Sequence, residues 1–230
     1  MAGSIAENLS VVRQRVEQAA VKSGRSADAC ELLVVSKTWP AESVAEVAAA
    51  GQIHFGENKV QEAEGKIPAL AENLHWHLIG HLQRNKARKA LPLFDVIHSI
   101  DSLKLARYTS NIATELGVKP QVYLQVNLAG EQSKGGYSLE NLHQQFSDLL
   151  ALEGIQIHGL MCIPPAAEKP DDARRWFAQL RTLRDQLEES SGHKLTGLSM
   201  GMSGDYEVAI EEGSTIVRVG SAIFGKRTYP

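Results

Sequence analysis

The sequence predicts an α/β protein, a single (β/α)8 TIM-type barrel with an additional N-terminal helix, and three observations predict it. Eight short apolar runs recur along the 230 residues. Each connection between them is long enough for a crossover helix. Most runs are apolar on both faces, as the strands of a parallel sheet covered on both sides must be. An open doubly wound sheet would share the last two features, but no Gly-x-Gly-x-x-Gly follows the first run, and eight units in this length favour closure. One barrel domain over residues 1–230 is expected, with residues 1–25 forming a helix that packs on it.

That helix is carried by "SIAENLSVVRQRVEQAAVKSGR". Ser4 and Glu7 have capping-box spacing, Ile5, Leu9, Val12, Val16 and Ala19 form one stripe, and Gly24 stops it. The strands follow in order. "ELLVVSK" ends on Lys37 before a Trp-Pro stop, and "QIHFGEN" ends on Glu57 and Asn58. "LHWHLIG" brings His77 and the loop "HLQRNK", and "DVIHSI" leads to Ser99 and Asp101. "QVYLQVN" ends on Gln125 and Asn127, and "IQIHGLM" on Met161 and Cys162. "KLTGLSM" runs into Ser199 to Ser203, and "TIVRVGSAIFG" carries Arg218, Gly220 and Ser221.

Composition narrows the partners. A formal charge of −3 gives no basic footprint for nucleic acid or an anionic membrane. No run approaches the roughly 18 apolar residues of a membrane span, and no signal-peptide apolar region is evident. Cys30 and Cys162 lie too far apart in sequence for a Cys-x-x-Cys metal or redox pair. A small-molecule partner, a reducing cytoplasmic setting, no bound metal and a monomer are the expectations.

Barrels carry their chemistry at the C-terminal strand ends, so the polar residues there matter most. Alternation puts Leu33, Val35 and Lys37 on one face of the first strand. Burial lowers a lysine pKa, and a neutral lysine is a nucleophile that forms a Schiff base with an aldehyde. The alternative is a Lys37 that snorkels to the rim and pairs with Glu57. On the last strand Ile216, Arg218 and Gly220 share a face, so space is left beside a guanidinium. Its partner is either a structural carboxylate or an acceptor ring nitrogen. Between the seventh strand and a helix starting near Asp205 lies "LSMGMSGD", in which glycine amides and the hydroxyls of Ser199 and Ser203 suit an anion. Ser203 also fits the N-cap of that helix. An aldehyde, a phosphate and a ring nitrogen together describe pyridoxal 5'-phosphate (PLP).

The motifs "VVSKTWP", "FGENKVQE", "WHLIGHLQRNK", "VNLAGEQSKGG", "GLMCIPP", "LSMGMSGDYEVAIEEGST" and "VRVGSAIFGKR" resemble, end to end, the YggS/PROSC family of pyridoxal phosphate homeostasis proteins. The resemblance implies a barrel of the alanine racemase N-terminal type. It implies Lys37 in the Schiff base, Arg218 at the pyridine nitrogen, and Ser199, Gly201, Met202, Ser203, Gly220 and Ser221 in or around the phosphate loops. Asn58 and Met161 match family positions near the cofactor. Ser221 departs from the Thr of many relatives but keeps the hydroxyl. The family holds and supplies the cofactor, with PLP-dependent apo-enzymes as receivers, and has no established turnover of an amino acid. The related racemases take one of their acid/base groups from an extra β domain, for which this chain has no room.

The alternative is a PLP-dependent amino-acid racemase or related enzyme, with Tyr137, Tyr206 or Tyr229 as the missing acid. Three other patterns carry less. "GLSMG" at 197–201 matches a nucleophile elbow, but no histidine follows His193 to complete a triad. "HWH" at 75–77 suggests a metal site for which further ligands are not evident, so His75 and His77 read as hydrogen-bonded core or rim groups. "NKARK" at 85–89 reads as a solvated basic face, with a protein-docking surface as the alternative.

Overall fold

The computed structural model describes residues 4–131, 134–166 and 168–225. Eight strands close into the expected barrel: β1 (Glu31–Val35), β2 (His54–Glu57), β3 (His75–Leu78), β4 (Val96–Ile100), β5 (Gln121–Val126), β6 (Gln156–Cys162), β7 (Gly197–Met202) and β8 (Ile216–Val219). Each strand pairs in parallel with the next, and β8 returns to β1 with Leu33 opposite Arg218. Around them run α1 (Ile5–Lys22), α2 (Ala41–Ala49), α3 (Val60–Lys66), α4 (Ala87–Ala90), α5 (Leu103–Leu116), α6 (Leu139–Leu150), α7 (Arg174–Ser191), α8 (Tyr206–Glu211) and α9 (Ser221–Phe224).

The additional helix forms as its pattern dictates. Ser4 accepts from the Glu7 amide and Glu7 reaches back to the Ser4 amide, closing the capping box. Its buried stripe is Leu9, Val12, Val16 and Ala19, which packs α1 against α2, α8 and α9. Asn8 Nδ2 donates to the Ile223 carbonyl at 3.0 Å, and Arg25, just past the helix, donates to the carbonyls of Ile210 and Ser214. These bonds fasten α1 to the chain that frames β8.

Alternation along the strands separates two apolar regions. Outward residues such as Leu32, Val34, Phe55, Ile97, Leu124 and Val217 build a shell between barrel and helices. Leu33, Val96, Tyr123, Met161 and Ile216 point inward and fill the barrel axis, with Ile79 packed on them. Fully burying a side chain of the Leu33 kind contributes about 1.5–3 kcal/mol. The inner filling is small because the rest of the axis is polar, and that polar column positions the site.

Candidate functional site

A cavity of about 1030 Å3 opens at the C-terminal ends of the strands. Lys37, Asn58, Met202, Ser203, Arg218, Gly220 and Ser221 line it, together with Gln125, Asn127, His81 and Lys134. None of the described lining residues is acidic. A concave wall with lysine and arginine and no carboxylate draws anions.

Arg218 forms the floor. It is 4% exposed, and burial pulls its pKa below the usual guanidinium value without removing the charge. Its Nη1 donates to Ser199 Oγ at 2.6 Å and its Nη2 to the Cys162 carbonyl at 2.9 Å. A guanidinium has five N–H groups, so donors remain for the cavity. Beneath it a chain of hydrogen bonds runs down the axis. Ser199 Oγ meets His98 Nδ1 at 2.8 Å, His98 Nε2 meets His77 Nδ1 at 2.9 Å, and His77 Nε2 meets His54 Nδ1 at 3.4 Å. Glu31 Oε2 stands 3.4 Å from His54 Nε2 at the opposite mouth. Arginine only donates, so Ser199 Oγ accepts from Arg218, and with its own hydrogen on His98 Nδ1 each neutral imidazole donates through Nε2 to the next. In this set of tautomers the chain runs from Arg218 towards Glu31. Burial lowers the His98 pKa well below its usual value and that of His77 to about 3, which keeps both rings neutral.

Lys37 lies two residues beyond β1, in the turn that leads to Pro40 and α2, and is half-buried. The carboxylate that a snorkelling Lys37 would take, Glu57, is held by Lys66 Nζ at 2.6 Å and by Ser36 Oγ at 2.7 Å. Lys66 also donates to the Ser36 carbonyl and to Glu62. Burial pushes the Glu57 carboxyl above its usual pKa despite this pair. The network ties the turn bearing Lys37 to the end of β2 and to α3. Next to Lys37, Thr38 takes φ 68°, and its amide donates to the Glu62 carboxylate.

The loop after β7 reaches the cavity through a bulge. Register shifts between Ser199 and Met202, and Gly201 turns at φ +94°, where a Cβ would come within 2.6 Å of Ala209 Cβ. Gly201 is therefore the hinge of the bulge, and the cavity wall beyond it is Met202 and Ser203. Ser199 lies below, enclosed between His98 and Arg218, and Met161 is packed in the axis with Leu33 and Tyr123. Seven of the ten expected site residues thus line the cavity, while Met161, Ser199 and Gly201 support it from behind. The N-cap of α8 is Asp205, not Ser203; Ser203 Oγ accepts from the Gly220 amide at 3.3 Å, linking the loops after β7 and β8. Gly220 passes so near β1 that a Cβ there would meet the Val35 carbonyl at 2.9 Å.

The rival patterns resolve on the same geometry. "GLSMG" is β7 itself and not a strand-to-helix elbow, and its serine is fully buried. His75 is a rim group facing Asp95, whereas His77 belongs to the axial chain. Burial pushes the Cys162 thiol up to about 12, which makes it inert. In the basic run, Arg88 pairs with Glu115 and Lys89 with Glu64. Tyr137 and Tyr206 are buried and do not line the cavity, and Tyr229 lies outside the described residues. Sequence reasoning missed His98, Lys66 and Lys134. Lys134, on the cavity wall, donates to Glu131 and to the Pro164 carbonyl. His98 was visible only as an inward position of "VIHSI", because its partner Ser199 is 101 residues away.

Fold and site define a class: parallel (β/α)8 barrels whose C-terminal mouth offers a lysine, a buried arginine and hydroxyl-bearing loops to a small anion. Comparison with known proteins is consistent with this. The family described as "Alanine racemase, N-terminal domain" matches residues 3–228. A pyridoxal phosphate homeostasis protein of Aquifex aeolicus is 43% identical over 97% of this chain and 98% of its own, and one of Pseudomonas aeruginosa is 45% identical over 98% and 97%. PipY of Synechococcus elongatus, solved with PLP bound, superimposes with a TM-score of 0.88 at 41% identity, covering 96% of this chain and all of its own. The chain belongs to the pyridoxal phosphate homeostasis protein family, on the alanine racemase N-terminal fold.

Proposed function

We propose that this protein binds PLP at the C-terminal mouth and holds it as a Schiff base on Lys37, buffering and supplying it to PLP-dependent apo-enzymes in the cytoplasm as a monomer, without turning over amino acids. The observation that carries this is the cavity itself: a lysine at the end of the β1 turn and a buried arginine face one space whose described lining holds no acid. The donor set fits the group. Lys37 takes the carbonyl, Arg218 offers its spare N–H groups to the ring nitrogen, and Ser203, Ser221 and the backbone around Gly220 receive the phosphate. The bound cofactor supplies an electrophilic aldehyde. The supporting roles belong to Ser199, which fixes Arg218, and to Gly201, which delivers Met202 and Ser203. PipY, solved with PLP bound on a similar barrel, supports PLP as the ligand.

Two features of the chain work against amino-acid turnover. The Arg218 charge disfavours protonation of a ring nitrogen beside it, which weakens the ring as an electron sink. The tyrosines at 137 and 206 do not face the cavity as acids.

The test is direct. Protein incubated with PLP and reduced with borohydride is expected to carry the cofactor mass on the peptide containing Lys37, and Lys37→Ala to lose both the mass and the yellow colour. An unmodified Lys37 in the saturated protein overturns the binding assignment. In deuterated water, exchange of the α-proton of L-amino acids should run no faster than with free cofactor; faster exchange overturns the carrier reading in favour of a racemase-like enzyme.

A further inference from the structure

The mouth opposite the cofactor cavity holds chemistry that cofactor binding does not use. There the strand starts surround a second cavity of about 940 Å3, lined in part by Glu31, His54 and His77. Glu31 opens β1, His54 opens β2, and His77 is the third residue of β3. Because β1, β2 and β3 are parallel neighbours, these three side chains converge inside the barrel. Each presents one ligand atom, and the three atoms lie within 4.8 Å of one another. We propose that Glu31, His54 and His77 form a binding site for a divalent transition-metal ion of the zinc class.

Two imidazoles and one carboxylate, with the remaining position open to solvent, suit a borderline ion such as zinc or cobalt. A tetrahedral ion about 2.0 Å from each donor spaces its ligands about 3.3 Å apart. His54 Nδ1 and His77 Nε2 already stand 3.4 Å apart. Glu31 Oε2 is 3.4 Å from the other nitrogen of the His54 ring, and since one donor of each residue lies within 4.8 Å of the other two, a shift of the Glu31 carboxylate towards the Nδ1 side is the adjustment that binding requires. Histidine ligands are steered by a bond at their second nitrogen, and His77 has one: its Nδ1 meets His98 Nε2 at 2.9 Å, with His98 anchored in turn on Ser199. The ring is 4% exposed and already oriented, while His54 and Glu31 face the open cavity and give the ion its entry.

Metal binding leaves a signature that hydrogen bonding alone cannot. In the tautomer set that runs from Ser199 towards Glu31, His77 donates through Nε2. An ion on Nε2 requires the hydrogen on Nδ1, donated to His98, so both rings exchange tautomers and Ser199 accepts from His98 and Arg218 together.

The experiment uses untagged full-length protein stripped with a chelator, and it reads out independently of the cofactor mouth. Titration with Co2+ is expected to give visible d–d bands of a low-symmetry site, saturating at one equivalent and displaced by Zn2+. Glu31→Gln and His54→Asn should each weaken Co2+ binding by at least about ten-fold, while His81→Asn, on the other mouth, leaves it unchanged. Ring 15N shifts of His77 and His98 should report the tautomer exchange when Zn2+ is added. Absence of the bands, binding that survives both the Glu31 and His54 substitutions, or binding lost in His81→Asn overturns the site.

Discussion

Thr38 is a β-branched residue at φ 68°, a conformation that costs about 1–3 kcal/mol, and it lies beside the proposed nucleophile. The bond from its amide to Glu62 holds it there and so fixes the direction in which Lys37 leaves the turn. Thr38→Gly is expected to raise the unfolding free energy in urea by about 1 kcal/mol, since relief of strain exceeds the added freedom of the unfolded chain. PLP affinity is expected to fall at the same time, because the turn loosens. Ser199 acts at a distance from any ligand. Ser199→Ala leaves Nδ1 of the buried His98 without its hydrogen-bond partner and frees Nη1 of Arg218, for an expected loss of about 1–3 kcal/mol in urea unfolding and weaker PLP binding in a fluorescence titration. At this scale the sequence was readable where alternation decides: Arg218 was placed by counting along β8, whereas Lys37 reaches the cavity from the turn just past β1. Ser199 was not readable, because a serine in a glycine-rich stretch looks the same whether it faces a phosphate or an arginine. Only the bulge at Gly201 decides which.

Among the elements, the buried pair of Glu57 and Lys66 joins β2, α3 and the turn after β1 through contacts that no local pattern announces. Lys66 closes α3, and its ammonium is 6% exposed on the side chain while the Glu57 side chain is fully buried. Lys66→Met strands a carboxylate in the core and should cost about 3–5 kcal/mol in urea unfolding. Adding Glu57→Gln should recover part of it, since the orphaned charge is then gone. The α1 capping box was legible because it is written in adjacent residues, and the start of α8 lay near Asp205 as expected, although its N-cap is Asp205 and not Ser203. The strand boundaries were less so: β1 stops at Val35, two residues short of the expected Lys37 end, because the chain turns at Ser36 to reach Glu57.

For the molecule as a whole, the barrel was legible from eight short apolar runs, most of them apolar on both faces as burial on both sides demands, and from their spacing. The column of histidines along its axis was not, because three successive strands each contribute one ring and no local pattern shows that the inward positions of His54, His77 and His98 stack in line. That column makes the fold acid-sensitive. His77 titrates near 3 in the folded barrel and near its ordinary 6.5 when unfolded, so the unfolded chain binds the extra proton between those values. The stability it contributes is present above pH 6.5 and is lost as the pH falls below it. The Glu31 carboxyl, raised to about 7 by burial, works in the opposite sense, so a difference measurement is needed. Between pH 6 and 5, in chelator, the protein should lose about 1.4 kcal/mol per pH unit more than His77→Gln does, and the two slopes should coincide above pH 7.5.

Closure of the sheet, with β8 hydrogen-bonded back to β1, leaves none of the eight strands with a spare rim of amides and carbonyls. A recipient enzyme therefore finds nothing here to extend by backbone zippering. If the proposed supply role holds, docking falls instead to side chains on the helices and to the loops around the C-terminal mouth, so hand-over and recognition would share the same few turns of chain.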